Sequence, residues 1–144
     1  MLLFSQASFG QGIYDGPYVS YEDGKVWIRS ETNGTVAKAE LKDSQVQVNF
    51  ADPVLNFSVS LKKSLQNEPA VFAQPSKMFV VSDIEGQFAG FRNLLLANQV
   101  IDERYNWTYG KGHLIICGDL FDRGLSVTET IWLIYRLEEL AKKA

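Results

Sequence analysis

The sequence predicts an α/β fold class for its second half, preceded by a small all-β module. Two apolar runs, 77–82 and 113–118, have the composition of parallel strands buried on both faces. Their spacing is that of a strand–helix–strand crossover. Residues 14–61 instead alternate apolar with polar side chains and contain Asp-Gly and Asn-Gly turn signals. We therefore expect a meander of short strands followed by parallel strands joined by a helix.

The all-β module is expected to be a hairpin meander within residues 13–62. Its short predicted strands, in chain order, are 17–21, 25–29, 35–39, 46–50 and 57–61. A polar segment with two prolines, 63–76, is expected to be a linker. Tyr18, Tyr21 and Trp27 could form a ligand-binding face, but the interpretation we favour is packing in a small sandwich.

The α/β part is expected to cover residues 77–144. Its first strand is followed by a predicted helix near 87–98, because apolar residues there recur at helical spacing. After the second strand, Ser126 and Glu129 have the spacing of a capping box, which predicts a helix to the end of the chain. Two parallel strands do not form a self-sufficient sheet. We therefore expect exposed apolar surface, and a chain that is the N-terminal part of a larger domain.

Composition limits the possible partners and compartments. The net charge of the 144 residues is 14 − 17 = −3 and no basic patch is present, which argues against nucleic-acid binding. No apolar run approaches the roughly 20 residues of a membrane span. Residues 1–12 resemble the remnant of a signal peptide, with a disordered N-terminus as the alternative. The first interpretation predicts an exported protein, periplasmic or extracellular, and the second a cytoplasmic one.

Charged side chains follow both predicted parallel strands. Asp83 and Glu85 come after the first strand, while Asp119, Asp122 and Arg123 come after the second. The carboxyl ends of parallel strands meet at one sheet edge, where ligands of α/β proteins bind. Carboxylates there could hold a metal ion, and an arginine could hold a phosphate group. The pattern thus predicts a site for a phosphorylated substrate.

The segment Gly118-Asp-Leu-Phe-Asp-Arg-Gly124, together with Asp83-Ile-Glu85, resembles the first two motifs of the calcineurin-like metallophosphoesterases, in particular the serine/threonine phosphoprotein phosphatase branch. The resemblance covers roughly residues 77–144. It implies an αββα sandwich, present only in part. Two departures are that Glu85 stands where the family has histidine, and that the later Asn-His motifs are missing.

The resemblance also implies roles for individual residues. Asp83 and Glu85 would bind one divalent metal ion, and Asp119 would bridge it to a second; the pair could be Mn, Fe, Zn or Mg. Asp122 would orient a catalytic histidine, and Arg123 would bind the phosphate. The intact protein would be a metal-dependent phosphatase for phosphate monoesters or phosphoproteins. This chain is expected to have little or no activity alone.

Several alternatives remain open at this stage. The chain could be a non-catalytic, degenerate half-domain that binds a metal or a partner, or the β module could bind sugars or cell wall. Glu85 could make only a helix-start contact, and Asp122 with Arg123 could form only a local ion pair. His113 is expected to be a lone packed or exposed side chain, and Cys117 to lie in the core.

Overall fold

The structure is a computed structural model that describes residues 14–65, 67 and 69–144. The predicted signal-peptide remnant, 1–12, lies outside the described residues. The expectation of export depends on that segment and stays a prediction. The strands are β1 (Tyr14–Glu22), β2 (Lys25–Thr32), β3 (Thr35–Glu40), β4 (Gln45–Val48), β5 (Phe57–Ser60), β6 (Met78–Val81) and β7 (His113–Ile116). The helices are α1 (Phe88–Ala97) and α2 (Val127–Ala141), and a 3₁₀ turn covers Pro53–Leu55. Within the described residues, no helix has the length and apolar character needed to cross a membrane.

Strands β1, β2 and β3 form an antiparallel meander, which confirms the first part of the predicted hairpin pattern. Both turns are two residues long. Asp23 and Gly24 have φ of 50° and 75°, and Asn33 and Gly34 have φ of 51° and 80°. Two consecutive left-handed residues give the turn a twist that matches the paired strands. The Asp-Gly and Asn-Gly signals therefore identified both turns correctly.

Strands β4 and β5 form a second hairpin that contributes directly to the main core. Strict alternation places Val48, Phe57 and Val59 against the helices, with 0–7% of each residue exposed. The same cluster contains Phe88, Phe91 and Leu95 of α1 and Leu133 and Leu137 of α2. The predicted boundaries at 13–62, 63–76 and 77–144 stay a prediction, but β4 and β5 share their core with the α/β part.

Strands β6 and β7 pair in parallel, as predicted, with Met78 opposite His113 and Val81 opposite Ile116. Phe79 and Val81 pack against the core, whereas Met78 and Val80 are 51% and 57% exposed. The expectation of strands buried on both faces was therefore wrong. Within the described residues, protein covers one face of this sheet only. The predicted exposed apolar surface is confirmed by this face, which includes Ile115 of β7, and by the loop residues Phe121 and Leu125.

The αββα sandwich implied by the family resemblance is not found in the part of the chain that the structure describes. Its strands form three separate sheets of three, two and two strands, accompanied by two helices. The fold is a mixed α/β domain, as predicted at the coarser level. The β6–β7 pair has α1 as its crossover connection, which brings the ends of both strands to one edge.

Helix α2 begins differently from the predicted capping box. The Ser126 side chain makes no capping hydrogen bond. Its carbonyl instead accepts hydrogen bonds from the amide and the hydroxyl of Thr130. Glu129 does not turn back towards Ser126 but is buried, with 4% of the residue exposed. The helix is held to β1 by a 2.8 Å hydrogen bond from Trp132 Nε1 to the carbonyl of Pro17.

Candidate functional site

The predicted site residues lie on the two loops that follow β6 and β7. Backbone hydrogen bonds join the loops directly, from the amide of Glu85 to the carbonyl of Asp119 (3.0 Å) and from the amide of Gly124 to the carbonyl of Glu85 (2.8 Å). The amide of Gly86 also donates to the carbonyl of Leu120, at 2.9 Å. The loops are therefore held at a fixed separation by main-chain contacts, independently of their side chains.

All five predicted site residues have left-handed backbone conformations. Their φ values are 56° for Asp83, 48° for Glu85, 51° for Asp119, 90° for Asp122 and 50° for Arg123. Such values are uncommon for residues with a side chain, and each costs free energy that the surrounding structure must offset. Strained backbone of this kind concentrates at functional sites. These φ values show that Asp83 and Glu85 do not continue β6 as an extended chain.

Two glycines allow the loops to approach this closely. A Cβ atom added to Gly124 would lie 2.3 Å from the carbonyl oxygen of Gly86. One added to Gly86 would lie 2.8 Å from the carbonyl oxygen of Gly124 and 2.7 Å from Cγ2 of Val127. Because the obstacles are largely backbone atoms, neither position has room for a side chain. The close contact of the two loops therefore requires glycine at both positions.

Three carboxylates converge between the loops. Asp83, Glu85 and Asp119 each place one carboxylate oxygen within 4.8 Å of the other two. Asp83 and Asp119 are exposed and Glu85 is half-buried. The sequence predicted this set of metal ligands, and the structure brings all three residues together. Glu85 is thus part of the cluster and does not make a helix-start contact alone.

The two remaining predicted residues lie beside the cluster. Arg123 Nε is 3.3 Å from Glu85 Oε1, and the Arg123 side chain is 72% exposed. Asp122 accepts a 2.8 Å hydrogen bond from the amide of Arg123 through Oδ1. The side-chain ion pair of Arg123 is therefore with Glu85, whereas the sequence analysis offered Asp122 as its local partner. Asp122 instead supports the backbone of the loop that carries Arg123.

Sequence reasoning misplaced or missed two other polar residues. Cys117 was expected in the core but is exposed, because it lies at the end of β7 next to the left-handed Gly118. Glu129 was assigned to a capping box, yet its Oε2 atom is buried without a hydrogen-bond partner. Burial raises the pKa of Glu129 to about 7, with a smaller contribution from the nearby charge of Asp15.

His113 matches the structural interpretation given to it. The side chain is half-buried, and its ring meets the edge of Phe72 with the ring centroids 5.9 Å apart. It lies at the start of β7, whereas the carboxylates follow the end of that strand. His113 therefore belongs to the opposite end of the sheet from the candidate site.

The mixed α/β fold of this chain matches that of solved phosphatases. A cold-active protein tyrosine phosphatase matches with a TM-score of 0.79 and 28% identity, over 91% of this chain and 39% of that chain. The enzyme of a psychrophilic Shewanella species matches with a TM-score of 0.77 and 29% identity, over 91% and 40% of the two chains. A curated relative, Shewanella-like protein phosphatase 2 of Arabidopsis thaliana, is 29% identical in an alignment of 103 residues, and the match covers 67% of this chain and 26% of the relative. No family model matches the chain.

These relatives correct the family assignment. The chain resembles Shewanella-like protein phosphatases and cold-active protein tyrosine phosphatases, and its assignment to the calcineurin-like metallophosphoesterases is wrong. That assignment depended on two short motifs, whereas the structural likeness extends over 91% of the chain. The chain spans about 40% of the length of the solved relatives and 26% of the curated one.

Proposed function

We propose that this chain provides the cation- and phosphate-binding part of a phosphatase that acts on phosphorylated proteins. One observation carries the proposal: the oxygens of Asp83, Glu85 and Asp119 lie within 4.8 Å of one another, with the guanidinium of Arg123 beside them. The names of the relatives, protein phosphatase and protein tyrosine phosphatase, supply the substrate class. Phosphotyrosine is the side chain that the solved relatives suggest.

The donor set fits a hard divalent cation. Carboxylate oxygens bind such ions at about 2.0–2.6 Å, so two ligands of one ion are at most roughly 5 Å apart. The separation in the cluster satisfies this limit. An all-oxygen set favours Mg²⁺ or Mn²⁺ over softer ions. A cation bound here would supply Lewis-acid polarisation of a phosphoryl oxygen.

The protein's own residues then have separate tasks. Arg123 can present two parallel N–H groups to phosphate oxygens, and most of its side chain is open to solvent. Asp122 accepts the amide hydrogen of Arg123 and keeps the Arg123 Cα in place. The exposed carboxylates of Asp83 and Asp119 leave the cluster accessible to a substrate from solvent. These features support phosphate-ester hydrolysis at this edge of the sheet.

The expectation of two metal ions goes beyond what the cluster itself supplies. Among the described residues, the three carboxylates are the one group of ionisable side chains with the geometry of a metal site. They account for one ion. A second ion bridged through Asp119 would need ligands in addition to those of the described residues. We therefore propose one carboxylate-bound cation for this chain and a pair only when further ligands are present.

Binding of Mn²⁺ tests the proposal without requiring turnover. We expect the purified chain to bind Mn²⁺ in an electron paramagnetic resonance titration. Asp119→Asn should weaken this binding by at least roughly tenfold, since even outer-shell partners of a metal contribute that much. Asp43→Asn removes a carboxylate from the loop before β4 and serves as the matched control. Equal Mn²⁺ affinity of the wild-type protein and Asp119→Asn would refute the proposed site.

A further inference from the structure

The ion pair between Arg123 and Glu85 joins the two halves of the proposed site. The Nε–Oε1 distance is 3.3 Å, and the Glu85 side chain is only 16% exposed. In the described residues, this is the cluster's one ion pair with a basic side chain. The same arginine is the proposed ligand of the phosphate, and the same glutamate is a proposed ligand of the cation. Arg123 can therefore either pair with Glu85 or bind phosphate, and Glu85 can either pair with Arg123 or bind the cation.

We propose that Glu85 and Arg123 form a resting ion pair that a divalent cation opens, so that Arg123 becomes available to a phosphate group only once the cation has bound Glu85. The inference rests on the proposed function and specifies its order of binding. Without a cation, three carboxylates within 4.8 Å repel one another, and Arg123 offsets part of that repulsion. A bound cation offsets the repulsion among the carboxylates in place of the guanidinium.

The backbone allows this exchange without movement of the loop. The amide of Gly124 is bonded to the carbonyl of Glu85 at 2.8 Å, so the main chain on either side of the ion pair is already joined. The amide of Arg123 is held by Asp122 at 2.8 Å. Only the side-chain torsions of Arg123 need to change, and its 72% exposure leaves space for them to do so. The exchange is thus a rotation of one side chain about a fixed Cα.

The competition predicts a defined energetic signature. Breaking the ion pair should release Arg123 for phosphate even in metal-free protein, and it should release Glu85 for a cation. Each effect should be about two- to fivefold, which is the upper part of the range measured for exposed ion pairs. A general charge effect would have the same sign, because removing a carboxylate also favours an anion. A double-mutant cycle separates the two causes.

The experiment uses four forms of the protein: wild type, Glu85→Gln, Arg123→Gln and the double variant. Inorganic phosphate is titrated into metal-free protein and followed by amide chemical shifts. We expect Glu85→Gln to bind phosphate about two- to fivefold more tightly than wild type, and we expect this gain to vanish in the Arg123→Gln background. Arg104→Gln removes an exposed cation from the loop before β7, at the other end of the strand, and should leave phosphate affinity unchanged.

The reciprocal titration uses Mn²⁺. Arg123→Gln should bind Mn²⁺ more tightly than wild type, and this gain should also vanish when Glu85 is glutamine. A gain of equal size in both backgrounds, or no gain, would overturn the inference while leaving the cation site intact. Failure of the proposed function looks different: Asp119→Asn would then bind Mn²⁺ as well as the wild-type protein does. That outcome would overturn both proposals.

Discussion

Replacement of Glu129 by glutamine should remove a large part of the pH dependence of folding stability. Glu129 is 4% exposed, and its Oε2 has no hydrogen-bond partner. Its pKa rises from 4.5 to about 7, chiefly because burial deprives the carboxylate of water. At 1.36 kcal/mol per pKa unit, that difference corresponds to about 3 kcal/mol. Titratable neighbours on β1 are Asp15, Tyr14 and Tyr18; Tyr18 donates a 2.6 Å hydrogen bond to Asp15.

The sign follows from which state binds the proton more tightly. The folded protein binds the Glu129 proton more tightly than the unfolded chain does. The contribution of this group to the free energy of unfolding is therefore complete below pH 4.5 and is lost as the pH rises to about 7. Between about pH 5 and about pH 8 the wild type should lose about 2–3 kcal/mol through this group. Glutamine mimics the protonated side chain, so Glu129→Gln should keep nearly the same stability over that range.

Urea unfolding followed by tryptophan fluorescence measures the difference at each pH. Asp23→Asn is a suitable control, because it neutralises an exposed carboxylate and asparagine also tolerates the left-handed φ of 50° at that turn. The control should retain the pH dependence of the wild type. If Glu129→Gln showed the same dependence as the wild type, the burial argument would be refuted.

Two further predictions concern the loops and the meander. Gly124→Ala should destabilise the fold by about 1–3 kcal/mol, because its Cβ would press on the backbone of Gly86. Gly90→Ala inside α1 meets nothing closer than 4.0 Å and should stabilise the fold by about 0.5–1 kcal/mol. Thermal unfolding of both variants checks this contrast. The Glu22 carboxylate should titrate at about pH 2 in an NMR titration, because hydrogen bonds led by that from Lys38 lower its pKa, and the stability it contributes above pH 4.5 should be lost as the pH falls towards 2. A Glu22 midpoint near pH 4.5 would contradict the observed network.

The local elements were predictable where one short-range signal determined the structure. A two-residue hairpin turn needs two left-handed residues, and the dipeptides Asp-Gly and Asn-Gly adopt that conformation readily between strands of alternating pattern. The site residues were also predictable as a set, because parallel strands bring their carboxyl ends together. Asp83, Glu85 and Asp119 consequently lie in one cluster.

Long-range packing explains the failures. Glu129 was read with Ser126 as a capping box, but it lies four and eight residues before Leu133 and Leu137, on the helix face that packs inwards. Ile131, although apolar, is 40% exposed. Which face of an amphipathic helix is buried depends on the strands it meets, here β1 and β5, and no local pattern in the helix specifies those strands. The left-handed conformations of the site loops were missed for the same reason.

The backbone contact between Gly86 and Gly124 makes the two loops a single cooperative unit. The amides of Glu85, Gly86 and Gly124 all donate to carbonyls of the opposite loop, and no side chain mediates these bonds. Hydrogen exchange at any one of these amides therefore requires the loops to separate, and that opening exposes the others at the same time. Ligands on either loop would slow exchange on both. The hydrogen-exchange rate of any one of these amides would thus report whether the whole site is occupied.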